Sequence, residues 1–171
     1  MPISIYQASV PVFVRGLSTL ATLLDKADAH AQAQGLDPAT LVQARLAEDM
    51  YPLAGQIQRA SDTSKFAVQR LSGVAAPAFP DTETTLDELR NRLAQTISYI
   101  KSVAPEKFDG AESRSISIKL GTLQPSFNGS SYLFTFALPN FYFHLVTAYD
   151  LLRHAGVKIG KLDYLGPYPG A

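Results

Sequence analysis

Apolar residues recur at helical spacing over residues 4–34, where Ile5, Ala8, Val12, Leu17, Leu20 and Leu24 would share the buried side of one long helix. Pro11 falls in the first third of that stretch and is expected to kink the helix or reset its start, while Gly35 closes it. Asp37 followed by Pro38 pairs an N-cap residue with a first-turn proline and predicts a short helix over residues 38–46. A second long helix follows Met50-Tyr51-Pro52 and reaches Leu71 or Ser72, with Leu53, Ile57, Ala60, Ser64, Ala67 and Leu71 on one side and Gly73 as its stop. Two prolines within residues 74–81 make that stretch a connecting loop. Threonines and carboxylates over residues 82–86 start a third helix that runs to Val103, with Leu86, Leu89, Leu93, Ile97 and Ile100 as its stripe. Pro105 marks its end.

The period then changes. Residues 115–120 alternate polar and apolar, as a half-buried strand does, and residues 123–127 can pair back after Gly121-Thr122. A hairpin this small has to lean on helices to be stable. Residues 132–137 lead into a last helix over residues 138–156, with Pro139 in its first turn and Gly156 at its end. The remainder, rich in Gly and Pro, is too irregular for a helix and is expected to pack as an ordered strap. The sum is four principal helices, one short helix and one small hairpin: an all-α bundle in a single domain over residues 1–171.

Composition narrows the function more by exclusion than by assignment. Lys plus Arg and Asp plus Glu are 15 each, so no net field attracts nucleic acid or an anionic membrane. The absence of cysteine removes disulfides, thiolate metal sites and cysteine nucleophiles. The first residues lack the basic start and unbroken apolar core of a signal peptide, and the apolar runs are too short to span a bilayer, so a cytoplasmic location is expected. Asn128-Gly129-Ser130 has the form of a glycosylation sequon and is read as a turn.

Candidate chemistry gathers on the last helix. Of three histidines, His30 and His154 occupy polar helix ends and read as surface residues, whereas His144 lies mid-helix among Phe141, Tyr142, Phe143 and Leu145. Asn140 precedes it by four residues, so both side chains can enter one cavity. Two ligands at that spacing can hold a metal, but an amide is a poor transition-metal ligand. The competing reading is a buried histidine whose polar atoms find a partner across the bundle, with Asp49 and Asp62 as candidates. Asp62 could be a hydrogen-bond partner, a general base or an ion-pair member, the last being the commonest role of such a residue. No nucleophile triad, phosphate loop or dinucleotide fingerprint occurs.

Four segments together, YQASVPVF, DMYPLAGQIQRASDTSK, LPNFYFHLVTAYDLLRHAG and GKLDYLG, resemble a bacterial family of uncharacterised proteins, a domain of unknown function related to the DinB/YfiT-like group. The resemblance spans nearly the whole chain and is most specific in LPNFYFH and GKLDYLG. It implies an up-down four-helix bundle. Typical DinB-like members bind a divalent metal through three histidines, one on the second helix and two on the last, in an H-x-x-x-H motif followed by Leu-Arg and a glycine. Here Leu152-Arg153 and Gly156 fit, His144 matches the second histidine of the motif, and Asn140 replaces the first. Residues 53–63 of the second helix hold no histidine. The expectation is therefore a degenerate metal site, leaving a polar pocket of Asn140, His144, Tyr149 and Asp62 that binds a small molecule or a partner in a homodimer. The alternative is a divalent-metal-dependent enzyme of group transfer or hydrolysis. In it His144, with Asp62 or Asp49, would hold a metal harder than zinc or act as acid/base.

Overall fold

A computed structural model describes residues 3–167. Its elements are α1 (Ile5–Gln34), α2 (Pro38–Val42), α3 (Leu53–Ser72), α4 (Leu86–Ser102), β1 (Ile116–Ser117), β2 (Ser126–Phe127), α5 (Gly129–Ser131), α6 (Leu138–His154) and α7 (Lys161–Leu165). α1 and α3 pack against one another, and α4 and α6 each pack against both, which closes a four-helix bundle. The expected all-α four-helix bundle with a small hairpin is what forms.

α1 begins at Ile5 because Ser4 caps it: the Ser4 hydroxyl accepts from the Gln7 backbone N–H, and the Gln7 side chain accepts from that of Ser4. Pro11 does not reset the start. It sits inside a helix of 30 residues, exposed, where it removes one N–H without placing its ring in the core. The buried stripe runs through Val10, Phe13, Leu17, Leu20, Leu24 and Ala27, so Phe13 takes the place expected for Val12, and Ala8 stays half-buried. α2 stops at Val42, short of residue 46, and an irregular turn carries the chain to Pro52. α3 and α4 bury the predicted stripes, except for half-buried Ile97, and α3 ends as expected on Gly73, whose φ is +80°.

The hairpin forms in the predicted place but is barely a sheet. Ile116 pairs with Phe127, Ser117 with Ser126, and an isolated bridge joins Leu120 to Leu123 around Gly121. Gly121 has φ +58°, which suits the first central position of a two-residue turn. Pro125 has no N–H to give a ladder, which limits regular pairing. Ile116 and Ile118 are buried, and the Arg114 guanidinium donates to the Leu71 carbonyl (2.5 Å), so the hairpin does lean on the end of α3.

Before α6 the chain makes a π-helical stretch, Tyr132–Ala137. The Leu138 N–H donates to the Leu133 carbonyl five residues back. Pro139 supplies the reason: its ring would press on the carbonyl four residues earlier, and the wider turn relieves that crowding. Phe141 and Leu145 then face α1 so closely that a Cβ on Gly16 would lie 2.5 Å from the Phe141 ring. The chain after Val157 is not wholly irregular. Gly160 N–H donates to the Asp163 carboxylate (2.7 Å), and this cap starts α7, which Lys26 ties to α1 through Asp163 (2.6 Å). The Gly- and Pro-rich end of the predicted strap, residues 168–171, lies outside the described residues. No helix among the described residues is long and apolar enough to cross a membrane.

Candidate functional site

α3 and α6 share the most extensive helix contact in the bundle, and polar side chains line its outer half. His144 projects from α6 toward α3 and is 8% exposed. Its Nδ1 lies 2.8 Å from the Gln56 Oε1. The Gln56 amide is held in turn by its Nε2, which donates to the Tyr51 carbonyl (3.2 Å) just before α3 begins. With Nε2 spent on a carbonyl, Gln56 presents its oxygen to the imidazole, so His144 carries its proton on Nδ1. Burial first, and the Arg59 guanidinium second, hold the His144 pKa down at about 4. At neutral pH the ring is uncharged.

Asn140 lies one turn earlier and is half-buried. Its Nδ2 donates to the Thr63 Oγ1 (2.7 Å), and the Thr63 hydroxyl donates to the Arg59 carbonyl (2.7 Å). Because that hydroxyl has given its only proton, it can only accept from Asn140. This fixes the orientation of the Asn140 amide and leaves Oδ1 outside the bond. Gln56, Thr63, Asn140 and His144 thus form an uncharged seam. Its α3 members were not singled out from sequence. The clue was present, since Gln56 and Thr63 stand seven residues apart on one face of the helix where the resemblance implies a ligand.

The other predicted site residues lie elsewhere. Asp62 turns to the α4 side of α3, where its carboxylate meets Arg92 (2.8 Å), Lys65 (2.9 Å) and Arg59 (3.3 Å). It is an ion-pair member there, not a partner of His144. Asp49 is exposed in the turn before α3, with neither an ion pair nor a hydrogen bond among the described residues. Tyr149 packs its ring on Tyr164 of α7, centroids 5.9 Å apart, and so lies apart from the α3 seam. Of the four expected pocket residues, Asn140 and His144 come together, and Tyr149 and Asp62 do not join them. His154 is exposed as expected, whereas His30 is half-buried, its ring near Gly156.

The α3/α4 side holds a second polar group. Arg92, 2% exposed, meets Asp62, Glu83 (2.9 Å) and Asp81 (3.0 Å), and also donates to Ser61 Oγ (3.1 Å) and the Pro80 carbonyl (3.2 Å). Lys65, 1% exposed, places its ammonium over the Phe79 ring (4.3 Å) as well as on Asp62. These contacts bind the loop between α3 and α4 across the helix pair. His144 lines none of the principal open clefts: one of about 440 Å³ lies between α1 and α7 beside Thr19, Leu162 and Asp163.

A divalent metal would need more than the seam offers. It supplies one imidazole nitrogen and one amide oxygen, His144 Nε2 and Asn140 Oδ1, the Gln56 amide being committed to hydrogen bonds, and no carboxylate reaches it. Among the described residues no three His, Asp or Glu side chains group closely enough to share an ion. The donor set does not fit the three-histidine site that the fold family implies.

Residues 5–165 match the family described as a domain of unknown function, DUF1993. No curated protein matches the chain. Among solved structures, a DinB family member protein from Shewanella denitrificans is 39% identical, with a TM-score of 0.89 over 98% of this chain and 94% of that one. The chain belongs to the DUF1993 family, on a DinB-like helical bundle.

Proposed function

We propose that this protein is a binding protein, whose uncharged seam between α3 and α6 receives a small molecule or a group of a partner, in place of a catalytic metal. The observation that carries the reading is the pairing of His144 Nδ1 with Gln56. A second-helix amide fixes the ring in one tautomer and one orientation, which is how recognition sites are pre-organised. A pKa of about 4 keeps His144 neutral at physiological pH, which makes it a poor general base and a steady hydrogen-bonding group. Asp62, a candidate for acid/base work with it, is consumed by Arg92 and Lys65.

Titration of Zn, Ni and Mn into protein purified without an affinity tag tests this reading. The expected result is no stoichiometric uptake and a melting temperature unchanged within a degree or so. Stoichiometric binding with a rise of about 2–4 °C or more, the size that roughly 1 kcal/mol gives a domain of 171 residues, would restore the metalloenzyme reading.

A further inference from the structure

The imidazole of His144 is nine-tenths buried and yet half used. Nδ1 makes its one hydrogen bond, to Gln56. No buried side-chain nitrogen or oxygen among the described residues lacks a partner, so Nε2 keeps an opening to solvent. With the proton on Nδ1, Nε2 is a bare lone pair. Asn140 repeats the arrangement: the Thr63 contact takes Nδ2, and Oδ1 is left as an acceptor. Two fixed acceptors therefore stand on adjacent turns of one helix.

Side chains four residues apart on one helix face are neighbours, about 5–6 Å apart at Cβ, so the two acceptors flank the same stretch of surface. An NH2 group donating two hydrogen bonds of about 2.9 Å, with its hydrogens at about 120°, spans acceptors about 5 Å apart. A hydroxyl has one proton and leaves one acceptor unmet. Charge narrows the class further. The Arg59 guanidinium is close enough to depress the His144 pKa and would repel a cation. Two bare acceptors give a carboxylate or phosphate no donor to bind, and Arg59 is already paired with Asp62 and Asp81. Phe143, 58% exposed, sets its ring edge-on to the imidazole with centroids 5.3 Å apart, and offers an apolar wall beside the acceptors.

We infer that the natural occupant of the seam carries an uncharged, planar NH2 group, a primary carboxamide or the exocyclic amine of a heteroaromatic ring, donating to His144 Nε2 and Asn140 Oδ1 with its flat body against Phe143. This rests on the reading of the seam as a binding site and adds the chemistry of the ligand. Exchange of the donor group for a charged one should then matter more than any change in the ring that carries it.

Three monosubstituted benzenes of similar size separate the possibilities: benzamide, benzoate and benzylamine, titrated into the full chain while the ring nitrogens of His144 are followed by long-range proton–nitrogen NMR. Benzamide is expected to move the Nε2 resonance saturably and to leave Nδ1 in place, with the two charged probes weaker by about tenfold or more, one hydrogen bond's worth. Asn140→Leu should weaken benzamide by a similar factor while the Nδ1 signal shows the Gln56 bond intact, and in His144→Phe, in a chain that still melts cooperatively, benzamide should no longer shift the Asn140 side-chain NH2 signals that it shifts in the parent chain. If benzoate or benzylamine binds at Nε2 as well as benzamide, the ligand class is overturned and the binding site stands. If none of the three moves Nε2, both are overturned.

Discussion

The two flanks of α3 bury polar side chains in opposite ways. Toward α4 the residues are charged and saturated: Arg92 has three carboxylates within 3.0 Å, and a backbone carbonyl and a hydroxyl take up further donors. Toward α6 they are uncharged and incompletely paired, with one ring nitrogen and one amide oxygen left over. A charged group costs too much to bury unless it is fully matched, so the α4 flank has no spare capacity and serves to fix the loop between α3 and α4. Neutral groups tolerate a vacancy near solvent. The flank that looks chemically milder is the one able to take a ligand.

Removing Arg92 should break the comparison at its strongest point. Arg92→Met keeps the aliphatic stem but takes the buried cation from Asp62, Asp81 and Glu83, leaving Glu83 without an ion pair while Asp62 and Asp81 keep Arg59, and we expect a loss of about 3 kcal/mol in denaturant unfolding. The same variant should leave the His144 ring nitrogens unmoved, because no member of the charged group touches the seam except through Arg59. A shift of Nδ1 away from its Gln56-bonded position would show that the two flanks are coupled and that the division made here is false.

Protonation probes the other flank. The folded His144 pKa of about 4 lies below the usual 6.5, so between those values the unfolded chain holds a proton that the folded chain does not. Stability then rises with pH through that window and is lost as pH falls from about 6.5 to about 4, by about 3 kcal/mol in all. The groups facing the ring are neutral Gln56 and cationic Arg59. His144→Phe should remove this slope. Equal pH dependence in the two proteins would mean that His144 protonates freely and that the seam is open to water.

Much of this was legible in the sequence and some was not, for one physical reason. Helix stripes such as Leu86, Leu89 and Leu93 are periodic over a few residues, so local spacing predicts them, and caps such as Asp37 or Gly73 act on their own turn. Asn140 and His144 were found because they share one helix. Gln56 and Thr63 were not, since their partners lie 88 and 77 residues away and nothing in a local window joins them. Asp62 misled for the same reason: spacing puts it near a possible site, and only the fold reveals that Arg92 faces it from the other side. Pro11 was given too much weight, because an exposed proline in a long, well-capped helix removes one hydrogen bond without opening the core.

The smallest effect is expected at Thr63, and it decides how the seam is oriented. Thr63→Val keeps the shape and removes the oxygen that receives Asn140 Nδ2. Asn140 is half-buried, so water can replace the lost partner, and the cost should be about 0.5–1 kcal/mol, well below that of Arg92→Met. Thr63→Ser retains the hydroxyl and should retain the stability. The informative signal is the Asn140 side-chain NH2 pair in a proton–nitrogen spectrum. It should move in Thr63→Val and stay in Thr63→Ser, while the His144 Nδ1 proton stays in both, because Gln56 and not Thr63 holds it. If instead the valine variant loses stability on the scale of the arginine variant, the seam is as tightly matched as the charged flank, and it has no acceptor to spare for a ligand.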